Sequence, residues 1–362
     1  MFRYVCLAIL VSTAPLAAQD RVTYLDRSSK AGSSLLRSGT INMEDPGKVT
    51  ITGTDGRRTD VPAGDLLDVI YDGEPQTEMN AARSAEKERR LDAALAGYLE
   101  AQKKIAADKK LLRRHLEYKL AELRAMQAEA GVNPATAIDS LRAFVRTHAD
   151  SRQLLSCYDM LGRLLIASRQ PVDEVTTALA QIRSRFGTDN KEVASRCDLL
   201  RSDLLMQELQ QALLTDKTAA ASKATALEKA LTELTTIADR AIQPDLEAKR
   251  VFCQALKDPG KALAAWEAQL KTVGDDGRNR AAIHLTRGDY YRLMQQPREA
   301  MWEYLWVDTV YMQDRQQQAK ALFYLVDIFD KLGDAAKARD CKERLQNDPR
   351  LKDTRYQRAS GK

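Results

Sequence analysis

Few residues of this sequence have the types and spacing needed for catalysis or metal binding. Its three histidines, His115, His148 and His284, are spread over 169 positions, and each is predicted on or beside a helix. The Ser-Cys dipeptide at 156–157 has no histidine nearby to act as a base. The phosphate-binding loop, the nucleophile elbow, the zinc-protease motif and the acidic calcium loop are not found. We therefore predict a chain that is not an enzyme, with no catalytic residue, cofactor or metal.

Cysteines could act through metal binding or disulfides, but their spacing favours neither. Beyond Cys6, the four cysteines Cys157, Cys197, Cys253 and Cys341 stand 40, 56 and 88 residues apart, so none forms a Cys-x-x-Cys pair. Each lies in an apolar pattern typical of a helix, where a thiol packs as a small hydrophobic group. Buried thiols are favoured over disulfides, and the sequence leaves the pairing open.

The first eighteen residues resemble a signal peptide. Arg3 is followed by an almost uncharged apolar run over residues 4–17 that ends in small residues at Ala17 and Ala18. The run is too short to span a bilayer comfortably. We predict cleavage after Ala18 and a periplasmic or secreted mature chain. The alternative is an N-terminal helix that stays attached as an anchor.

Composition separates two regions of the 362-residue chain. Residues 20–78 carry seven Lys and Arg against eleven Asp and Glu, whereas residues 79–362 carry 48 against 40. The whole chain has a formal charge of +5, too small over this length to indicate a nucleic acid partner. We predict four segments: a signal peptide over 1–18, a β-domain over 19–78, a helical domain over 79–350 and a polar tail over 351–362.

The β-domain is predicted from alternation with a period of two residues. Apolar residues alternate in short runs around Val22, Ile41, Val49 and Val69, and these runs are separated by Asp-Pro-Gly and Asp-Gly turns. Four or five short strands follow. Their order, with its glycine and two turns, weakly resembles small SH3-like or Sm-like barrels. We expect a small barrel or a bent antiparallel sheet.

From Met79 onward the apolar period is that of helices. The stripe at Leu91, Leu95 and Tyr98 is one example, and Pro or Gly breakers recur at intervals of one or two helices. This spacing predicts a mainly α-helical domain of successive hairpins that bury one another's faces.

The hairpins resemble tetratricopeptide repeats (TPR). Gly288, Tyr291, Ala300 and Tyr304 occupy the spacing of that family's glycine, tyrosine, small and aromatic positions, and a second copy follows about 38 residues later. Small residues are needed there because the two helices cross closely. Residues 191–243 fit no repeat cleanly, and within them we expect a longer, less regular helix pair or a short coiled coil over residues 219–241. The resemblance implies an α-solenoid whose first helices line a concave, partner-binding face.

Two further segments stand out. Residues 103–124 are strongly basic, which is typical of the solvated faces of helices but also allows weak contact with a membrane surface or cell wall. The cations concerned are Lys103, Lys104, Lys109, Lys110, Arg113 and Arg114. Residues 301–311 contain Trp302 and Trp306 among other apolar side chains, so we expect that helix to lie in the core between repeats.

Together these features predict an exported scaffold that binds a protein or peptide segment of the cell envelope. The alternative is a module that binds cell-wall polysaccharide or an anionic surface. Positions facing outward on the first helices of the predicted repeats are the candidate partner-binding residues: Asp159, Arg163, Glu247, Asp289, Arg292, Lys320, Phe323, Asp327 and Asp330.

Overall fold

The computed structural model describes residues 19–26, 34–351 and 354–360. The predicted signal peptide lies outside the described residues. Within them, no helix has the length and apolar character needed to cross a membrane.

Five strands near the N-terminus form one antiparallel sheet. They are β1 (Asp20–Leu25), β2 (Ser34–Glu44), β3 (Lys48–Gly53), β4 (Arg58–Pro62) and β5 (Leu66–Ile70). The order across the sheet is β4-β3-β2-β1-β5, and a single 3₁₀ turn precedes β5. Gly39 of β2 is required by close approach, because a Cβ there would lie 2.0 Å from the carbonyl oxygen of Thr52. The predicted antiparallel sheet is confirmed.

Helices make up the rest of the described chain. They are α1 (Gln76–Lys87), α2 (Leu91–Lys104), α3 (Lys110–Glu129), α4 (Pro134–Thr147), α5 (Leu154–Ala167), α6 (Asp173–Phe186), α7 (Lys191–Thr215), α8 (Lys217–Ile237), α9 (Gln243–Ala255), α10 (Pro259–Thr272), α11 (Gly277–Leu293), α12 (Pro297–Thr309), α13 (Arg315–Lys331), α14 (Ala335–Asn347) and α15 (Arg355–Ser360). The breakers identified in the sequence lie between them. The mainly α-helical fold class is confirmed.

By its internal contacts the chain forms two compact units. The first contains the described residues up to Leu123 together with His148–Gln153, and the second contains Arg124–Thr147 and the described residues from Leu154 onward. Helices α1, α2 and most of α3 therefore belong with the sheet. The boundary at residue 79 is the predicted start of an independently folding helical domain, and it stays a prediction.

Antiparallel pairing of neighbouring helices builds the second unit. Helix α9 pairs with α10, α11 with α12, and α13 with α14. The crossing of α11 and α12 is as close as the repeat resemblance implies: Ala300 is fully buried, and a Cβ added at Gly288 would lie 3.0 Å from a ring carbon of Tyr304. The TPR-like helical hairpins expected from the sequence are confirmed by this packing.

The helix pair expected over residues 219–241 is not formed within those residues, because most of them belong to one long helix, α8, that pairs with α7. Helices α7 and α8 are a pair of long antiparallel helices, 25 and 21 residues in length. Asn190 and Asp216 cap their N-termini by accepting hydrogen bonds from backbone N–H groups of the first turn. The lengths explain why this stretch fits no short repeat.

The expectation that Trp302 and Trp306 lie in the core is wrong. Their side chains are 62% and 46% exposed. The inward face of α12 is occupied instead by Ala300, Tyr304 and Val307, together with two acidic residues, Glu303 and Asp308. These two carboxylates are buried because cations reach them: Arg287 contacts Glu303 at 2.7 Å, and Arg344 contacts Asp308 at 2.7 Å.

The basic segment over residues 103–124 is largely paired within the first unit. Lys109 contacts Asp72 at 2.5 Å, and Lys104 contacts Glu78 at 2.5 Å. The other four cations differ in their surroundings: Lys103 contacts Glu100, Lys110 is exposed, Arg113 donates to backbone carbonyls at 105 and 106, and Arg114 is buried against Glu44. Much of the positive charge is therefore neutralised within this unit, by the sheet and by α1 and α2.

Candidate functional site

The second unit contains a polar cavity of about 470 Å³. Its walls come from α5, α7, α9, α11 and α13, and its end is formed by α15. Three of these, α9, α11 and α13, are the first helices of successive hairpins. The cavity thus lies on the face where the repeat resemblance places partner binding.

One wall of the cavity is organised by a buried lysine. The ammonium of Lys249 on α9 contacts Asp203 and Asp245 at 2.7 Å each and donates to the hydroxyl of Ser202 at 2.9 Å. Burial opposes the charged form of Lys249, but the two carboxylates outweigh it and raise the pKa. One cation shared by two aspartates leaves negative charge on this wall, and the Asp203 side chain is half exposed.

The opposite wall is organised by a buried carboxylate. Asp289 on α11 accepts hydrogen bonds from the Tyr304 hydroxyl at 2.6 Å, from Lys320 at 2.6 Å and from the Gln210 amide at 3.1 Å. Burial disfavours its ionised form, yet Lys320 and Arg292 lower the pKa of Asp289 below its usual value. The network joins α7, α11, α12 and α13, so it holds the walls of the cavity in a fixed arrangement.

The candidate partner-binding residues fall into three groups. Asp159, Asp289 and Lys320 line the cavity. Arg163 and Arg292 lie behind it: Arg163 contacts Asp159 and Glu129, and Arg292 stacks 4.3 Å above the Tyr324 ring.

The remaining candidates lie outside the lining. Glu247 follows the cavity-lining Asp245 by two residues and contacts Arg250. The exposed Asp327 contacts Lys331. Asp330 is exposed, and Phe323 packs against other aromatic rings. The structure brings three of the nine candidates together at the cavity, and the binding role of all nine stays a prediction.

Several lining residues were missed from the sequence. Asp245 and Lys249 are spaced i and i+4, a pairing that could have indicated a common helix face. Asp203 lies in the stretch that matched no repeat, and Arg355 and Tyr356 lie in the predicted polar tail, so no pattern connected them with the cavity.

The described residues contain no group of three His, Cys, Asp or Glu side chains able to hold a metal ion. Two histidines have other surroundings: the half-buried His115 lies against the ring of Tyr71 at a tilted angle, and the buried His284 contacts Glu303 at 2.9 Å and stacks on the rings of Trp306 and Tyr311. Burial lowers the pKa of His115 well below its usual value.

Comparisons with known proteins do not assign the chain to a family. No protein-family model matches it, and no curated protein is significantly similar to it in sequence. Among solved structures, a tetratricopeptide repeat protein from Parabacteroides merdae ATCC 43184 is 11% identical, with a TM-score of 0.40, over 79% of this chain and 98% of that chain. The architecture described above therefore rests on the helix packing of this chain itself.

Proposed function

We propose that this chain is an exported, non-enzymatic scaffold that binds a protein or peptide segment of the cell envelope in the cavity of its helical unit. The observation that carries the proposal is the cavity lined by successive first helices. Side chains of both charge signs line it, and they offer hydrogen-bond donors and acceptors at fixed positions, as an extended segment of another protein requires.

The test is affinity capture from the native envelope fraction with the full mature chain, followed by mass spectrometry. The cavity variant combines Asp203→Ala and Lys320→Ala, which leaves the net charge unchanged. Its matched control combines Glu299→Ala and Lys342→Ala, two exposed residues of α12 and α14 outside the cavity. We expect one protein to be retained by the wild type and the control and lost by the cavity variant. Equal retention by all three proteins would refute binding in the cavity.

Export is tested separately by the intact mass of the chain purified from the cells that produce it. Cleavage after Ala18 predicts a mature chain that begins at Gln19. A full-length mass in a soluble cytoplasmic fraction would refute export and leave binding in the cavity untouched.

One observation favours a second candidate function, binding of cell-wall polysaccharide. Trp302 and Trp306 are exposed one helical turn apart, and exposed aromatic rings can stack on sugar rings. We expect such binding to be lost in the variant that combines Trp302→Ala and Trp306→Ala, measured by co-sedimentation with purified cell wall. The variant combining Val132→Ala and Leu214→Ala, which also truncates two exposed apolar residues, is the control.

A further inference from the structure

The short helix α15, the last element of the described chain, packs into the second unit. Leu351 and Thr354 before it are fully buried, and the Gln357 amide donates to the backbone carbonyl of Gln346 at 3.0 Å. This helix lies within residues 351–362, whose composition predicts a polar tail, and it packs against α13 and α14.

Tyr356 of α15 covers aromatic side chains of α13. Its ring lies 5.5 Å from the ring of Phe323 and 6.3 Å from that of Tyr324, and only 8% of Tyr356 is exposed. Phe323 is one of the predicted partner-binding residues, and its ring packs here against Tyr356. The rings of Phe323 and Tyr324 form an aromatic site on α13, and Tyr356 of the same chain occupies it.

Arg355 extends from the same helix into the cavity. Its guanidinium lies 4.5 Å above the Tyr356 ring and donates a hydrogen bond to the Tyr356 hydroxyl. Burial opposes its charged form, but the neighbouring Tyr356, Asp159 and Asp203 raise the pKa of Arg355.

The charges around Arg355 explain why a cation is favoured at this end of the cavity. Asp203 shares the single ammonium of Lys249 with Asp245. Arg163 likewise divides its charge between Asp159 and Glu129. Asp159 and Asp203 each share a cation with a second carboxylate, and Arg355, which lines the same cavity, supplies further positive charge.

We propose that this end of the cavity binds an arginine together with an adjacent aromatic side chain, and that Arg355 and Tyr356 are an internal ligand that a partner segment of this chemistry displaces. The inference rests on the proposed function, because it names the chemistry that the same cavity recognises. A structural cap that only closes the last hairpin would need the apolar contacts of Leu351 and Tyr356, but it would not need a cation in the cavity that Asp159 and Asp203 line.

The test uses a fluorescent peptide that covers residues 349–362 of this chain and measures its binding by fluorescence anisotropy. The receptor is the full mature chain in which Arg355→Ala and Tyr356→Ala vacate the site. We expect this receptor to bind the peptide at least tenfold more tightly than the wild-type chain does, because the wild-type site is already occupied. Equal affinities would overturn the proposal.

Matched controls separate specific binding from general charge attraction. A peptide carrying Arg355→Ala should lose binding, whereas one carrying Arg350→Ala has the same net charge and should keep it, since Arg350 pairs with Asp348 outside the cavity. On the receptor, Asp159→Asn with Asp203→Asn should abolish binding, and Asp327→Asn with Asp330→Asn should not. An equal effect of both peptide changes, or of both receptor pairs, would overturn the proposal.

Far-UV circular dichroism shows whether each receptor variant is folded, and only variants with the wild-type helical signal are compared. Loss of peptide binding while envelope capture still depends on Asp203 and Lys320 would refute the internal ligand alone. Specific peptide binding without any captured partner would instead refute the proposed scaffold function and keep the arginine and aromatic site.

Discussion

Two buried carboxylates, one in each compact unit, have the same kind of donors and different surroundings. Glu44 in the first unit accepts hydrogen bonds from Arg114 and Tyr71 at 2.7 Å each and from Arg152 at 3.1 Å. Asp289 in the second unit also has a tyrosine and a cation among its three donors. Glu44 is enclosed by two arginines, whereas Asp289 and its partner Lys320 line a cavity.

The difference shows that a buried ion pair is not by itself evidence of a binding site. Removing charges from water costs free energy in both places, and partners with good geometry recover part of it. Around Glu44 that cost secures the attachment of α3 to the sheet. Around Asp289 the same kind of network fixes the walls of a cavity, and the charge of Lys320 stays accessible beside it.

The largest effect should come from breaking the enclosed network. Glu44→Gln removes the closest negative partner of the guanidinium groups of Arg114 and Arg152 and leaves Arg114 with its longer contact to the exposed Asp150 at 3.6 Å, so we expect the free energy of unfolding to fall by about 3–5 kcal/mol. Urea unfolding followed by far-UV circular dichroism measures this. Asp60→Asn, which breaks a surface pair with Lys48, is the control and should cost less than about 1 kcal/mol. A loss of that smaller size for Glu44→Gln would show that the enclosed network around Glu44 contributes no more to stability than a surface ion pair does.

Asp289→Asn should cost less, because the amide keeps two of the hydrogen bonds and Lys320 retains access to water. We expect a loss of about 1.5–3 kcal/mol, since hydrogen bonds to a charged group are involved. Tryptophan fluorescence during urea unfolding measures it, because all three tryptophans lie in the second unit. A loss as large as that of Glu44→Gln would contradict the distinction between the two sites.

The ionisation of Asp289 also predicts a pH dependence. Its folded-state pKa lies below the ordinary value of 3.8, so its contribution is fully present above that value and is lost as the pH falls through the lower folded-state pKa. Between pH 4 and pH 2 the wild type should therefore lose more stability than Asp289→Asn does. Parallel stability curves for the two proteins over this range would contradict the assignment.

Gly288→Leu tests whether the second network depends on close helix packing. The added side chain would press on Tyr304, which donates to Asp289, and overpacking of this kind costs about 1–3 kcal/mol. Thermal unfolding measures the change. Gly260→Leu is the control, because the nearest atom to a Cβ there is 3.8 Å away on a flexible side chain. An equal fall in melting temperature for both substitutions would contradict the dependence of the Asp289 network on close helix packing.

The smallest effect is expected at the surface pairs of the basic segment. Lys104→Gln removes a contact with Glu78, and both groups are close to water, so screening should leave the unfolding midpoint unchanged within error. Urea unfolding at low and high salt measures this. A salt-dependent loss comparable to that of Asp289→Asn would mean that surface and buried pairs contribute alike.

Much of the architecture was predictable because local signals and packing agree. Proline, glycine and aspartate turns separate the helices, and Gly288 and Ala300 lie where two helices must approach closely. The helix α12 shows what could not be predicted. Its sequence places tryptophans and acidic residues on different faces, and burial of the acidic face depends on Arg287 and Arg344, which come from other helices.

The cavity was only partly predictable for the same reason. Asp289 and Lys320 occupy repeat positions that the resemblance marks as outward-facing, so sequence spacing found them. Asp203 and Arg355 come from segments without repeat periodicity, and only the folded chain brings them to the same cavity. Spacing along one helix is visible in a sequence, whereas a meeting of distant segments is not.

The four cysteines of the helical unit offer a way to follow its opening. Each is a buried thiol on a different helix: Cys157 on α5, Cys197 on α7, Cys253 on α9 and Cys341 on α14. Burial raises the pKa of Cys197 and Cys253 to about 12 and that of Cys341 to about 11, so the reactive thiolate is scarce while the helices stay packed. Alkylation at each position therefore times the exposure of one hairpin, and the four labelling rates together would give the order in which the repeats come apart.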